Sequence, residues 1–414
     1  MDKGIPSIAD STALTSILEI HQYFRNPDNA PELLFASDKT AYAWQNLCGQ
    51  FATAQLLRDG PIRELPESLD NSIGSMPIEF SDGSASTVEE HFNSSTMDAL
   101  LVLRGGHVVF ERYKTMRPFD KHNWFSCSKT IVGTLIALLE HEGRLDVLKA
   151  VPHYLPALAG SIWETVTVEA TLDMATGLDA TEHEEADART NPARGWFQWA
   201  TSIGLFGSPQ DYTHTPIDVL RAMQRTKPAH TVFEYNSVNT YVLQLIVEEL
   251  TQRPIAEVFG ERVWRRIGAQ NDGYICLDKQ GRGMSFGFMS STLRDLGRHG
   301  MIYTPSGVDV DQHPIVPAAV IRKFQTGLRP QMYAQGCFGS PFFEDFKVSG
   351  IANRYQWDIV CPDGDLFKAG AGGQGLYISP SRDAVVAFFS TGDARDERLG
   401  AWLARTVTKS FVGA

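Results

Sequence analysis

The feature that most constrains this chain is a run that is apolar almost all the way round a helix: Ile131, Val132, Leu135, Ile136, Leu138 and Leu139. A helix without a polar face belongs at the centre of a domain, with other elements packed on every side. Gly143 suits its C-terminal stop. Directly ahead stands Trp124-Phe125-Ser126-Cys127-Ser128-Lys129-Thr130, in which Ser126 and Lys129 form an S-x-x-K pair. If the helix starts at or just before Ser126, the two share a face near its first turn. A serine hydroxyl is a poor nucleophile until a neighbour takes its proton. A lysine can do so only with a lowered pKa, which burial at the positive end of a helix dipole supplies. The same helix end favours a developing alkoxide and offers the Ser126 backbone N–H to an oxyanion. S-x-x-K also arises by chance in many helices, so alone it specifies no chemistry. Cys127 reads as a small packed side chain.

The chain has 414 residues, enough for one large domain or two interleaved ones, and its 43% hydrophobic content supports an ample core. A net charge of -12 argues against nucleic acid and against an anionic membrane surface. Five scattered cysteines (48, 127, 276, 337 and 361) without a C-x-x-C point to a reducing compartment. The first residues lack the apolar core of a signal peptide, and no run approaches the roughly 18 apolar residues of a membrane span. The expectation is a soluble, cytoplasmic protein. Its eleven histidines show no H-E-x-x-H or other ligand spacing, so no metal is expected.

Along the chain, Ala13 to Phe24 and Ala41 to Leu57 read as amphipathic helices, the second anchored by Trp44, Phe51 and Leu56. Residues 60–95 are rich in Pro, Ser, Gly and Asp and read as a long surface connection. Ala99 to Arg104 and His107 to Tyr113 flank Gly105-Gly106, a hairpin signal. Residues 144–280 read mostly helical, with a loop at 179–215 carrying an acidic cluster (Glu182, Glu184, Glu185, Asp187) and Trp196, Phe197 and Trp199. The acidic cluster reads first as a solvated loop, with the alternative that it borders the cleft and favours a cationic substrate group; the aromatics read as core rather than as a binding lid. Val238 to Leu250 and Ala256 to Ile267 are further helices, and another starts near Thr292. The C-terminal part returns to strands (YQWDIV, GLYISP, AVVAFFST), with a hairpin signal at Pro380 to Asp383 and a last helix from about Arg395 to Ser410. Strands from both ends with a helical middle imply one sheet assembled from N- and C-terminal segments. The expected fold is α/β (α+β): an antiparallel sheet flanked by helices, with a mostly helical inserted region. Residues 1–95 form N-terminal helices and connection, 96–143 and 281–414 the α/β domain, and 144–280 the helical region.

Two more stretches carry chemistry. Tyr235-Asn236-Ser237 precedes a long apolar helix, and a tyrosine there can relay a proton to a leaving group. LFKAGAGGQGLYISP puts four glycines at a strand entry, where backbone and substrate approach closely. It is no phosphate loop, since G-x-x-x-x-G-K-[ST] is absent.

S-x-x-K near 126, Y-N-S near 235 and the glycine-rich strand entry near 370 form an ordered triplet. The triplet resembles the serine β-lactamase and penicillin-binding-protein superfamily, and within it the class C β-lactamase-type esterases. The chain is most similar to the 6-aminohexanoate-dimer hydrolase (nylon-oligomer hydrolase) family, which shares the Y-x-S second motif. EHEGRLD at 140–146, VPHYLPALAGS at 151–161, FEYNSVNTYVLQLIVEELT at 233–251 and GGQGLYISP at 372–380 carry the likeness. The resemblance implies a β-lactamase-like fold with Ser126 as acylated nucleophile, Lys129 as its base and Tyr235 as proton shuttle. It implies an oxyanion hole from the N–H groups of Ser126 and of a residue near Ala371, with Gly372 and Ser237 beside the substrate. No cofactor or metal is implied. A homodimer is expected by the same likeness. The superfamily's third motif usually opens with lysine or histidine. Here Lys368-Ala369-Gly370 and the glycines after it leave the register open. That weighs against a β-lactam carboxylate and towards esters or linear amides. A transacylase on the same site, a β-lactam-hydrolysing enzyme and an inactive binding protein are the alternatives, in descending order.

Overall fold

The computed structural model describes residues 14–26, 28–205, 212–309, 311–336 and 339–411. Ala13, Cys337 and residues 206–211 of the expected loop lie outside the described residues. A seven-stranded antiparallel sheet forms the backbone of the molecule. Its order is His107–Tyr113, Met97–Arg104, Ala384–Ser390, Gln374–Ser379, Leu366–Gly370, Trp357–Val360 and Ala352–Arg354. The first two strands come from early in the chain and the other five from its end, so the sheet closes across Val386↔Val102 and its neighbours. Gly105 and Gly106 take positive φ at the first hairpin, as a two-residue turn requires.

Side chains alternate between two covers. Leu101, Leu103, Leu376, Ile378, Val385 and Phe389 pack in the core with the Leu293–Met301 and Lys129–His141 helices. Leu100, Val102, Phe367, Tyr377, Val386 and Phe388 pack with Ala401, Leu403, Ala404 and Val407 of the Ala394–Ser410 helix. Gly297 and Gly300 let the Leu293–Met301 helix lie against the sheet, because a Cβ there would meet Leu101 or Val385 at 2.6 Å. The Lys129–His141 helix is buried from Lys129 through Leu139, in keeping with its uniformly apolar sequence.

A second, four-stranded sheet (Thr53–Leu56, Gly273–Cys276, Met289–Ser291, His122–Asn123) leads the chain into the S-x-x-K segment. Thr53–Leu56 is thus a strand, where the sequence pattern suggested helix as far as Leu57. The helical part is only Asp38–Ala43, with a 3-10 turn at Leu47–Gly49. Pairing with Gly273–Cys276 overrides the local periodicity. The 60–95 stretch is also more than a surface connection. It holds a hairpin (Pro77–Glu79 with Ala85–Thr87) and the helix Val88–Ser94, and it buries Ile73, Ile78, Val88 and Phe92. A capping box between Thr87 and Glu90 starts that helix. Trp196 and Trp199 are core residues, on a Gly195–Ser202 helix inside the expected loop. Among the described residues no helix is long and apolar enough to cross a membrane.

Candidate active site

Ser126 does not lie on the long helix. It sits in a 3-10 turn, Phe125–Ser128, and the α-helix begins at Lys129. The turn is fixed from three sides. Trp124 N–H donates to Met289 O (2.7 Å) and its ring N–H to Ser291 Oγ (2.9 Å). Asn123 N–H donates to Trp44 O (2.9 Å), and Met289 N–H donates to Ser128 Oγ (3.2 Å). Phe125 is held at φ 44, a left-handed conformation that costs a bulky residue on the order of 1–3 kcal/mol. Trp44 packs against its ring.

Lys129 is 1% exposed, and its ammonium has three acceptors for its three protons. They are Ser126 Oγ at 3.1 Å, Ser237 Oγ at 2.8 Å and the Phe286 carbonyl at 2.6 Å. Burial pulls its pKa down to about 7. Glu182 works against that shift, and the Lys368 charge reinforces it.

The Tyr235-Asn236-Ser237 motif divides three tasks. Asn236 caps the Ser237–Thr251 helix by accepting from Val238 N–H at 2.9 Å. Ser237, expected beside the substrate, is buried, and its hydroxyl takes the bond from Lys129. Tyr235 enters the cleft. Lys368 Nζ donates to its hydroxyl at 3.2 Å, and the two ammonium groups lie 5.3 Å (Lys129) and 4.8 Å (Lys368) from its ring centre. The structure therefore brings Ser126, Lys129 and Tyr235 together: Ser126 and Tyr235 line one cleft of about 480 Å³, and the buried Lys129 reaches both. Ala371 and Gly372 also line the cleft, just beyond the Leu366–Gly370 strand. Among the open registers of the third motif, Lys368-Ala369-Gly370 is the one whose lysine reaches the tyrosine.

Two carboxylates join the site: Glu182, from the acidic cluster whose alternative reading bordered the cleft, and Asp358, which the sequence did not single out. Glu182 is no solvated loop residue: its side chain is 8% exposed and lines the cleft. It accepts from Ser237 N–H (2.5 Å) and pairs with Arg189 (3.4 Å). Burial alone would raise its carboxyl, but the charges of Lys129, Arg189 and His183 and the Ser237 bond outweigh it, so the pKa is lowered. Asp358 is 2% exposed, is paired with the fully buried Lys368, and accepts the Ala369 N–H at 2.9 Å. A lone acid in the apolar run YQWDIV and a lone lysine in LFKAG were the available signals, since a buried charge needs a partner. The N-terminal segment Leu34-Phe35-Ala36 completes the cleft rim.

Away from the cleft, Asp309, Asp311 and His313 place ligand-type atoms within 4.8 Å of one another. Asp309 there is already engaged by Arg266 at 2.9 Å and by the His313 and Asp311 N–H groups.

A seven-stranded antiparallel sheet with a serine–lysine–tyrosine cleft at the start of a buried helix defines the class, and the comparisons agree with it. Residues 89–409 match the Beta-lactamase family model, and the chain belongs to that family of serine hydrolases. It is 31% identical over 316 residues to the 6-aminohexanoate-dimer hydrolase of Paenarthrobacter ureafaciens, covering 75% of this chain and 76% of the relative. A Bacillus anthracis protein assigned as a 6-aminohexanoate-dimer hydrolase superimposes with a TM-score of 0.76 at 21% identity, over 91% of this chain and 95% of that one. A class C β-lactamase has the same fold, with a TM-score of 0.55 at 15% identity, over 78% of this chain and 93% of that one.

Proposed function

We propose that this protein hydrolyses carboxylic esters or linear amides through an acyl-enzyme on Ser126. The observation that carries this reading is a buried lysine, with a pKa of about 7, whose Nζ lies 3.1 Å from the Ser126 hydroxyl. When Lys129 is neutral, two of its N–H groups suffice for Ser237 and Phe286 O, and its lone pair is left to accept the Ser126 proton. Ser126 Oγ attacks the substrate carbonyl as that proton passes to Lys129. The N–H groups of Ser126 and of the chain at Ala371–Gly372 take the oxyanion in this reading, supported by the fact that all three residues line the cleft. Tyr235 delivers a proton to the leaving alkoxide or amine, and Lys368 holds its hydroxyl in the cleft. The proton held by Lys129 then passes on to the Tyr235 oxygen, which restores both groups; water enters and attacks the acyl carbonyl as Lys129 takes its proton, and that proton returns to Ser126 Oγ as the carboxylic acid leaves.

The 31% identity to a 6-aminohexanoate-dimer hydrolase supports a linear amide as one substrate type. The test is turnover of p-nitrophenyl acetate and of a linear ω-amino amide by wild type and Ser126→Ala. The variant should lose activity by on the order of 10⁴-fold or more. A variant keeping more than a few per cent of wild-type turnover would remove Ser126 from the role.

A further inference from the structure

We propose that Asp358 sets substrate charge selectivity: by engaging Lys368 it commits that ammonium to Tyr235 and withholds it from any carboxylate on the substrate. The proposal rests on the hydrolase reading above.

Lys368 is the cation that stands against the Tyr235 hydroxyl, and Tyr235, Asp358 and Ala369 all line the cleft. An ammonium in that position would attract an anionic leaving group. Its charge is already met: the Lys368 side chain is 0% exposed, Asp358 is 2% exposed, and one Asp358 oxygen is bonded to it. The other oxygen takes the Ala369 N–H at 2.9 Å, so the carboxylate bridges adjacent strands, Trp357–Val360 and Leu366–Gly370. Asp358 cannot swing away to release the lysine without giving up that backbone bond. A substrate carboxylate would have to displace a buried, doubly bonded partner to reach Lys368. Lys368 itself lies behind Tyr235 and Asp358 rather than in the cleft lining; of the arginines that do line the cleft, Arg189 is paired with Glu182, and Arg398 belongs to the C-terminal helix. Neither is altered when Asp358 is changed, so a ratio of rates isolates the pair. Asp358 is thus a positioning residue acting through Lys368.

The test compares phenyl acetate with 3-carboxyphenyl acetate, which differ by one carboxylate on the leaving group. Asp358→Asn keeps the shape and the bond from Ala369 N–H but removes the charge. Relative to wild type, kcat/KM for the anionic ester should rise against the neutral one by on the order of tenfold, the worth of one charge-assisted contact. The gain should appear in KM for the anionic ester alone, whereas a purely structural role would move both esters together. An unchanged or reversed ratio overturns the proposal. Where the single variant does not fold, Asp358→Asn/Lys368→Met removes both charges and avoids a lone buried one. It should keep the wild-type ratio, because the lysine gives substrate carboxylates nothing in the wild type, and a selective loss of the anionic ester overturns the proposal. Failure of the wild type to hydrolyse either ester sinks the hydrolase reading, and this proposal with it. Turnover with an unmoved ratio sinks this proposal alone.

Discussion

Trp44 meets Phe125 edge to face, with ring centroids 4.7 Å apart. The same indole fills the space that a side chain on Gly372 would need. One residue from the N-terminal segment, outside the family-matched span of 89–409, therefore braces both the strained residue before Ser126 and the cleft lining at Gly372. Its ring N–H is satisfied by Leu33 O at 2.8 Å. Trp44→Ala should cost about 3–5 kcal/mol, the usual price of emptying a large buried aromatic site. Denaturant unfolding measures that cost. Turnover of the remaining folded protein should fall as well, and a fully active variant would mean that the site does not depend on this brace.

Gly372 is constrained both by its backbone and by its neighbour. Its φ is +82, and a Cβ would stand 2.5 Å from the Trp44 ring. Gly372→Ala must both strain the backbone and push the indole away. A drop in kcat of at least tenfold is expected, since a displaced wall misplaces the oxyanion donors. Wild-type kcat in this variant would show that the wall at 371–372 is not where charge develops.

The rate should depend on pH through Lys129. Its ordinary pKa of 10.5 is lowered to about 7, and the neutral form is the base. Log kcat/KM should therefore rise with pH and level off above about 7. Glu182 favours the charged lysine, so Glu182→Gln should move this acid limb to lower pH. A limb that stays put, or moves up, would detach Glu182 from the lysine. The linked effect on stability has the same sign. The folded state binds fewer protons at Lys129 than the unfolded state between about pH 7 and 10.5, so stability gains from this group as pH rises through that window.

Ser237→Ala removes one of the three acceptors around the Lys129 ammonium. The expected result is a kcat lowered by on the order of tenfold with KM little changed, as for a residue that orients a catalytic group. The opposite split, a raised KM at constant kcat, would return Ser237 to a substrate-contact role.

How much of this was legible beforehand depended on where the signal lay. The Gly105-Gly106 and Pro380–Asp383 turns, the uniformly apolar helix after Lys129 and the order of the three motifs are local patterns, and each has its counterpart in the fold. Thr53–Leu56 was misread because its strand character comes from a partner more than 200 residues away. The 3-10 turn at Phe125–Ser128 was missed because its φ of 44 is enforced by tertiary packing around Trp44 rather than by its own residues. Glu182 looked like one acid among four in a loop, and only the fold brings it to Ser237 N–H. Asp358 and Lys368 become partners through strand register, which single-residue patterns do not encode.

The most direct test of the account is the intact mass of the protein after mixing with p-nitrophenyl acetate, wild type beside Ser126→Ala. Wild type should show a nitrophenol burst and a single acetyl adduct that peptide mapping places on Ser126, and the variant should show neither. An adduct on Cys127 or another residue, or an equal adduct on both proteins, would contradict a Ser126 acyl-enzyme.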